Sequence, residues 1–330
     1  MTSMGGSLTG AEVLDPLQGK TLVFIVGAPR SGTTWLQMLL TDLPEIASAF
    51  ETHLFSGYMQ SDFATWRSWA QRNHFMGLHS SISKEQYHAI LRQSASSVLA
   101  AMTADKPGAR IIIEKTPEHC ACAEDILDLF PEAHFIHLVR DPRAVVSSIV
   151  AASDDWADYV RGISVAEACE WWMGLIEAAQ NIRLLTPNHY ELRYEDLLER
   201  GPQTLKDILD WLGIPADEQR CEEITQRYSF RNVQSERRNL PTGFRRLPGG
   251  FFRSGKSEQW KSDLSRGEVA LIERIAGPVM ERLGYKRGSH GVLVNIWAAS
   301  IGVNANIRKG LKWRLERLTR RLWIRSVKGA

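Results

Sequence analysis

The segment "TLVFIVGAPRSGTTWLQMLLTDL", Thr21 to Leu43, decides the fold, and its centre, "VGAPRSGTTW" (Val26–Trp35), decides what the fold can hold. "TLVFIVGA" (Thr21–Ala28) is an unbroken apolar, β-branched run ending in a glycine turn, the pattern of a parallel strand buried on both faces. "TTWLQMLLTDL" follows with helical periodicity and is stopped by Pro44. A strand, a glycine loop and a helix in that order aim backbone N–H groups and a positive helix end at an anion. Gly27 and Gly32 have the spacing of a phosphate-binding loop, but Thr33 and Thr34 stand where that loop has Lys followed by Ser or Thr. The lysine neutralises the outer phosphates of a nucleoside triphosphate and the hydroxyl ligates Mg²⁺, so Thr33 argues against a triphosphate–Mg²⁺ substrate. Arg30, three residues after Gly27, instead sets a permanent cation beside a bound 5′-phosphate.

Outward from this unit, "ARIIIEKT" (Ala109–Thr116) and "AHFIHLVRDP" (Ala133–Pro142) repeat the buried-strand pattern. The helix "AEDILDLFP" lies between them, and the helical "RAVVSSIVAAS" follows. "HYELRYEDLLERGPQTLKDILDWLGIP" (His189–Pro215) predicts a short strand and then one amphipathic helix closed by Gly213 and Pro215. Strands alternating with helices give an α/β fold: a mostly parallel sheet with helices on both faces. Residues 57–105, rich in Trp, His and Ser, read as a helical insertion or lid. Residues 1–20 form a leader, 21–286 a single domain and 287–330 a basic tail.

The chain has 330 residues, 44% hydrophobic and 24% charged, an ordinary globular composition. Cys120, Cys122, Cys169 and Cys221 are too few and too unevenly spaced for a disulfide framework, and no secretory signal precedes them. A cytoplasmic protein is expected. The net charge of +2 is unevenly spread. From Asn304 onward there are nine Lys/Arg and one acid, against 31 and 37 in the rest. Ile307, Leu311, Leu315, Leu318, Leu322 and Trp323 share one helical stripe there. That pattern suits a peripheral contact with anionic membrane or an acidic partner, or packing on the acidic body. No nucleic-acid motif is present, and monomer and homodimer both stay open.

Arg140 ends the third strand, and Ser148 lies two turns into the next helix, where the pair can grip one further phosphate. "APRSGTTW" and "LVRDPRAVVSS" together resemble the two cofactor motifs of the PAPS-dependent sulfotransferases. "RYEDL" (Arg193–Leu197) and "FRSGKSEQWK" (Phe252–Lys261) extend the resemblance in order, the latter with Arg253, Gly255, Trp260 and Lys261 at matching spacing. It covers Leu22 to Gly284 and is nearest the branch with an arginine in the loop and a glutamate base. The resemblance implies a fold related to nucleotide kinases but without their metal, and 3′-phosphoadenosine 5′-phosphosulfate (PAPS) as donor. It implies that Arg30, Ser31, Gly32, Thr33, Thr34 and Trp35 hold the 5′-phosphosulfate. Arg140, Ser148, Arg253, Ser254 and Gly255 would hold the 3′-phosphate, and Tyr194 the adenine side. Ser254 departs from the family, where a second basic residue is common.

Sulfuryl transfer needs a base for the acceptor hydroxyl, cations on the moving sulfonate and neutralisation of the leaving phosphate. Arg30 stands where most cytosolic members have lysine and is a clamp on the leaving group; tyrosylprotein sulfotransferases show the same Pro-Arg-Ser-Gly-Thr-Thr run. "EKTP" (Glu114–Pro117) resembles an element of heparan-type sulfotransferases and makes Lys115 the cation on the sulfonate oxygens. Cytosolic members place the base in a Lys-Thr-His run where this chain has Lys115, Thr116 and Pro117, and proline cannot serve. "FETHLF" (Phe50–Phe55) offers His53 and Glu51, which lies 21 residues after Arg30 and so resembles the glutamate-base branch, where that residue follows the loop cation by about twenty. His53 has the better ordinary pKa, and in an extended segment it shares a face with Glu51. His119 is a third candidate. "HCAC" (His119–Cys122) lacks a second ligand cluster, so no metal site is expected. Trp171 and Trp172 belong to core or to an acceptor-pocket wall. The expected activity is sulfuryl transfer to a hydroxyl of a small-molecule, lipid or sugar acceptor; a non-catalytic nucleotide binder and a P-loop kinase are the alternatives.

Overall fold

The computed structural model describes residues 15–49, 51–71, 77–235, 244, 247–253 and 255–291. The run from Thr21 becomes strand β1 (Thr21–Gly27), the centre of a parallel sheet in the order β2-β3-β1-β4-β5. Its neighbours are β3 (Ile111–Glu114) and β4 (His134–Val139), with β2 (Ile46–Ala49) and β5 (His189–Arg193) at the edges. The apolar run is continuous because both faces of β1 are covered. Phe24 and Val26 join one core cluster, Val23 and Ile25 the other. On the first face lie α3 (Lys84–Met102), α4 (Ala123–Leu129), α5 (Pro142–Asp155), α6 (Val165–Asn181) and the helix Arg266–Arg282. The second carries α1 (Thr33–Thr41) and the helices Gly201–Trp211 and Glu218–Arg227.

Two elements differ from the sequence reading. Ile46–Ala49 is a strand although "IASA" carries too little apolar side chain to announce one; it is recruited at the edge by pairing with β3. The helix expected after β5 is two helices, Tyr194–Glu199 and Gly201–Trp211. Arg200 breaks them with φ −129° and ψ 40°, because Pro202 has no N–H to continue the first and is suited to begin the second. Residues 57–105 contain α2 (Gln60–Gln71) and α3, the latter started by a Ser83–Gln86 capping box. Helix α3 packs against α4 and β2, so it covers the sheet edge. No helix among the described residues is long and apolar enough to cross a membrane.

The C-terminal ends of β1, β3, β4 and β5 deliver the glycine loop, Lys115, Arg140 and Tyr194 to one rim of the sheet, where ligands of open parallel sheets bind. Two constraints fix that rim. At Gly27, φ is 145° and a Cβ would lie 2.6 Å from the Leu138 carbonyl oxygen, so the backbones of β1 and β4 meet with no room for a side chain. At the end of β3, the fully buried Glu114 carboxylate accepts the Thr52 amide (3.1 Å) and the hydroxyls of Thr52 (2.9 Å) and Thr116 (2.6 Å). Its other oxygen accepts His119 Nδ1 at 2.7 Å, while His119 Nε2 accepts the Phe55 amide at 3.2 Å. The ring proton therefore sits on Nδ1.

Gly27→Ala must displace a backbone carbonyl and adopt a glycine conformation. It is expected to cost about 2–4 kcal/mol, read as a lower urea midpoint at unchanged slope; an unshifted midpoint would refute the constraint. Burial works to raise the Glu114 carboxyl, but His119, the Thr116 hydroxyl and the Thr52 amide hold it at about 2, below the ordinary 4.5. Its contribution is thus complete above pH 4.5 and lost as the pH falls towards about 2. The stability gap between wild type and Glu114→Gln should be widest at neutral pH and close below pH 4.5; a gap independent of pH contradicts this.

Candidate active site

The loop leaves β1 by a left-handed turn at Arg30 (φ 71°), a conformation costly for a residue with a Cβ, and enters α1 through Gly32 (φ 101°). A Cβ on Gly32 would lie 2.6 Å from the Tyr194 ring, so the loop rests directly on the start of the helix after β5. Arg30 Nε donates to Ser148 Oγ at 3.1 Å and Nη2 to the Phe251 carbonyl oxygen. The guanidinium lies 4.4 Å from the Phe251 ring centre and 5.4 Å from that of Trp156. Burial, with Arg140 and Arg253 nearby, lowers Arg30 to about 10, which leaves it fully charged at neutral pH. Ser31 Oγ is buried with no hydrogen-bond partner among the described residues.

Beside the loop, Arg140 donates from Nη1 to the Arg30 carbonyl and from Nη2 to the Lys256 carbonyl, each at 3.1 Å. Its guanidinium lies 4.0 Å from the Tyr194 ring centre, and its Nε–H is buried with no partner among the described residues. Trp35 meets Tyr194 edge-on and donates Nε1–H to the Tyr228 carbonyl at 2.8 Å. Arg253 reaches across to α5, donating to the Ser147 carbonyl (3.1 Å) and to Asp263 Oδ2 (2.6 Å). Gly255 (φ 63°) sits where a Cβ would lie 2.5 Å from Phe230. Ser254 and residues 292–330, with the basic stripe, lie outside the described residues.

At the end of β3, Lys115 is fully buried; its Nζ donates to Thr34 Oγ1 at 3.1 Å and forms an ion pair with Glu51. The other Glu51 oxygen lies 4.0 Å from His53 Nε2, so the two base candidates are brought together. His119 is buried, with both ring nitrogens bonded as described, and takes no part in the cavity wall.

Arg30, Thr33, Thr34, Trp35, Glu51, His53, Arg140, Ser148, Tyr194, Arg253 and Gly255 all border a single cavity of about 870 Å³. Lys115 reaches its wall through Thr34 and Glu51. Glu118, Trp156, Tyr159 and Trp171 line the same space, whereas Trp172 is wholly core. Burial pushes the Glu118 carboxyl up; His53 opposes the rise and Glu51 adds to it. The Tyr159 hydroxyl is pushed up to about 12 by burial, with Glu118 and Glu51 adding and Arg30 opposing. Sequence reasoning missed Ser147, Thr52, Glu118 and Phe251. Ser147 differs from Ser148 only by helical phase, and Phe251 meets Arg30 across 221 positions of sequence.

The Sulfotransferase family matches residues 23–218. The protein-tyrosine sulfotransferase of Drosophila melanogaster is 26% identical over 196 residues, 59% of this chain and 38% of that protein. Nodulation protein NoeE of Sinorhizobium fredii is 26% identical over 297 residues, 81% of this chain and 66% of that protein. The chain thus spans from little over a third to about two thirds of these relatives. The sulfotransferase domain of the Synechococcus PCC 7002 olefin synthase superposes with TM-score 0.51 at 21% identity, over 82% of this chain and 97% of that one. A mouse sulfotransferase complexed with PAP does so with TM-score 0.54 at 15% identity, over 85% and 94%. With the match covering more than half of its length, the chain belongs to the sulfotransferase family.

Proposed function

We propose that this protein transfers a sulfuryl group from PAPS to a hydroxyl of a small-molecule, lipid or sugar acceptor, with Glu51 as the base. The observation that carries the reading is the Lys115 ammonium, which touches the loop through Thr34 and the candidate base through Glu51. The donor fits the residues present. Ser31 Oγ in the loop and Arg140 Nε beside it are buried with no hydrogen-bond partner among the described residues, and Arg30, Arg140 and Arg253 border the cavity. Arg30, Ser31, Gly32, Thr33, Thr34 and Trp35 would hold the 5′-phosphosulfate; Arg140, Ser148, Arg253, Gly255 and Ser254 would hold the 3′-phosphate. Tyr194, which packs under both loop and Arg140, would border the adenosine. When bound, the donor supplies the electrophilic sulfur and a phosphate leaving group.

The chain's own residues divide the work. Glu51 accepts the proton of the acceptor hydroxyl, a role worth about 10²–10⁴ in rate. Taking that proton cancels the charge that Lys115 was paired with, so the ammonium is freed to act on the sulfonate oxygens as they gain charge. Arg30 stays protonated and clamps the leaving group; it is not an acid. His53, against Glu51, orients the acceptor or takes the proton in its place. A pure nucleotide binder needs no Glu51–Lys115 pair at the cavity, and the loop's Thr33 disfavours a kinase.

The test is ³⁵S-labelled PAPS with 2-naphthol, a long-chain alcohol, an amino sugar and a tyrosine peptide. Wild type is expected to label at least one. Glu51→Gln should lose about 10²–10⁴-fold in kcat while binding PAP as wild type does, and Arg30→Ala should lose both turnover and PAP affinity. PAP binding without any labelling would favour the binder; tighter binding of ATP with Mg²⁺ would favour the kinase; full turnover by Glu51→Gln would move the base to His53.

A further inference from the structure

We infer that Glu114 and Thr52 are positioning residues, which together aim the Glu51–His53 pair at the transfer site. The inference rests on the reading of Glu51 as base. Strand β2 ends at Ala49, so the next residues have no strand partner to take their amides. Side chains take them instead, and all lead to one carboxylate. The Thr52 amide donates to Glu114 (3.1 Å). His53 donates to Thr116 Oγ1 (3.3 Å) and Leu54 to Thr52 Oγ1 (3.0 Å), two hydroxyls that themselves donate to Glu114. Phe55 donates to His119, whose other nitrogen is bonded to Glu114. Four consecutive amides are thereby fixed by a single buried anion.

Two features separate this from ordinary packing. His53 is held left-handed (φ 48°), a strained conformation for a residue with a side chain, and such strain persists only where surrounding bonds over-determine it. Thr52 is also the residue between the two base candidates, bound to Glu114 by both amide and hydroxyl. Glu114 thus grips the turn through Thr52, while Lys115, the next residue, holds the same turn by Glu51. A tilt of Thr52 moves Glu51 and His53 together relative to Lys115 and the loop, and a displacement of about 1 Å in a reacting group can cost 10²-fold in rate.

The test uses the full chain and Thr52→Val, Thr52→Ser, Glu51→Gln and the double variant Glu51→Gln/Thr52→Val. Readouts are kcat and KM with the panel acceptor that turns over fastest, PAP affinity, and amide hydrogen exchange of the peptide spanning 51–58. Thr52→Val deletes the hydroxyl at nearly constant shape. It should lower kcat about 10–100-fold, leave PAP affinity and the KM for PAPS within about two-fold, and speed exchange in the peptide. Thr52→Ser should recover most of kcat. In the Glu51→Gln background, Thr52→Val should cost nothing further, because the residue acts through the base. Wild-type kcat in Thr52→Val, or equal losses in the two backgrounds, overturns the inference. Wild-type turnover by Glu51→Gln instead overturns the base assignment, and the exchange readout still tests the tether. Glu114→Gln is a second probe, with the same kcat loss expected if it folds.

Discussion

The close approach of β1 and β4 at Gly27 is the constraint on which the site depends. With 2.6 Å between a would-be Cβ and the Leu138 carbonyl oxygen, the two strands end side by side, and the loop after β1 falls across the end of β4. Arg140, the first residue after β4, then meets the Arg30 carbonyl, and Tyr194, the first after β5, lies under Gly32. Four elements far apart in sequence become one rim because two backbones pack without a side chain between them.

Arg30, Arg140 and Arg253, grouped at the loop beside one cavity, would repel one another if nothing intervened, and how they are held decides what the cavity attracts. Arg30 and Arg140 are held by carbonyl oxygens, a hydroxyl and aromatic faces, all uncharged. Of these three, Arg253 alone has a carboxylate partner among the described residues, Asp263. Neutral acceptors orient a guanidinium without cancelling its charge, so the positive potential stays available to an anion. Nearby Trp260 closes the wall by stacking on Arg143, whose guanidinium is consumed by Asp141 and Glu273 and adds nothing to that potential. The wall of the same cavity also carries the carboxylates Glu51 and Glu118.

Much of this was legible in the sequence, for physical reasons. A buried parallel strand must be apolar on both faces, so β1, β3 and β4 stand out, and a loop that presents amides to an anion needs glycines at fixed places. Arg30 and Arg140 could therefore be placed at one rim by their positions at strand ends, with Ser148 on the helix that follows, while Tyr194 is placed by the family resemblance. Glu51 and His53 do come together, but through a left-handed turn at His53 and not the extended segment their spacing of two suggests. β2 was not legible, because a short edge strand is made by its neighbour's hydrogen bonds and not by its own side chains. Nor was the division between Ser147 and Ser148 or between Trp171 and Trp172, where a single step of helical phase separates core from cavity. The pairing of Lys115 with Glu51 and the reach of Phe251 to Arg30 depend on tertiary distances that no local pattern encodes.

Pro117 shows how a residue that looks like a loss can be a structural requirement. In the sequence it stands where the resemblance to cytosolic sulfotransferases would place a histidine. In the fold it opens the short helix Pro117–Cys122, whose tight turn carries the chain back so that His119 reaches Glu114 five residues behind it. A strand end points successive side chains to opposite faces: Glu114 meets His119 and Thr52, while Lys115 meets Thr34. Of these two successive residues, the first holds the turn at Thr52 and the second meets the loop at Thr34. Had the chain run on extended past Thr116, His119 would have been carried away from Glu114, and the turn bearing Glu51 would have lost the acceptor for Phe55. The proline thus helps fix, by way of His119 and Glu114, the turn that follows Glu51.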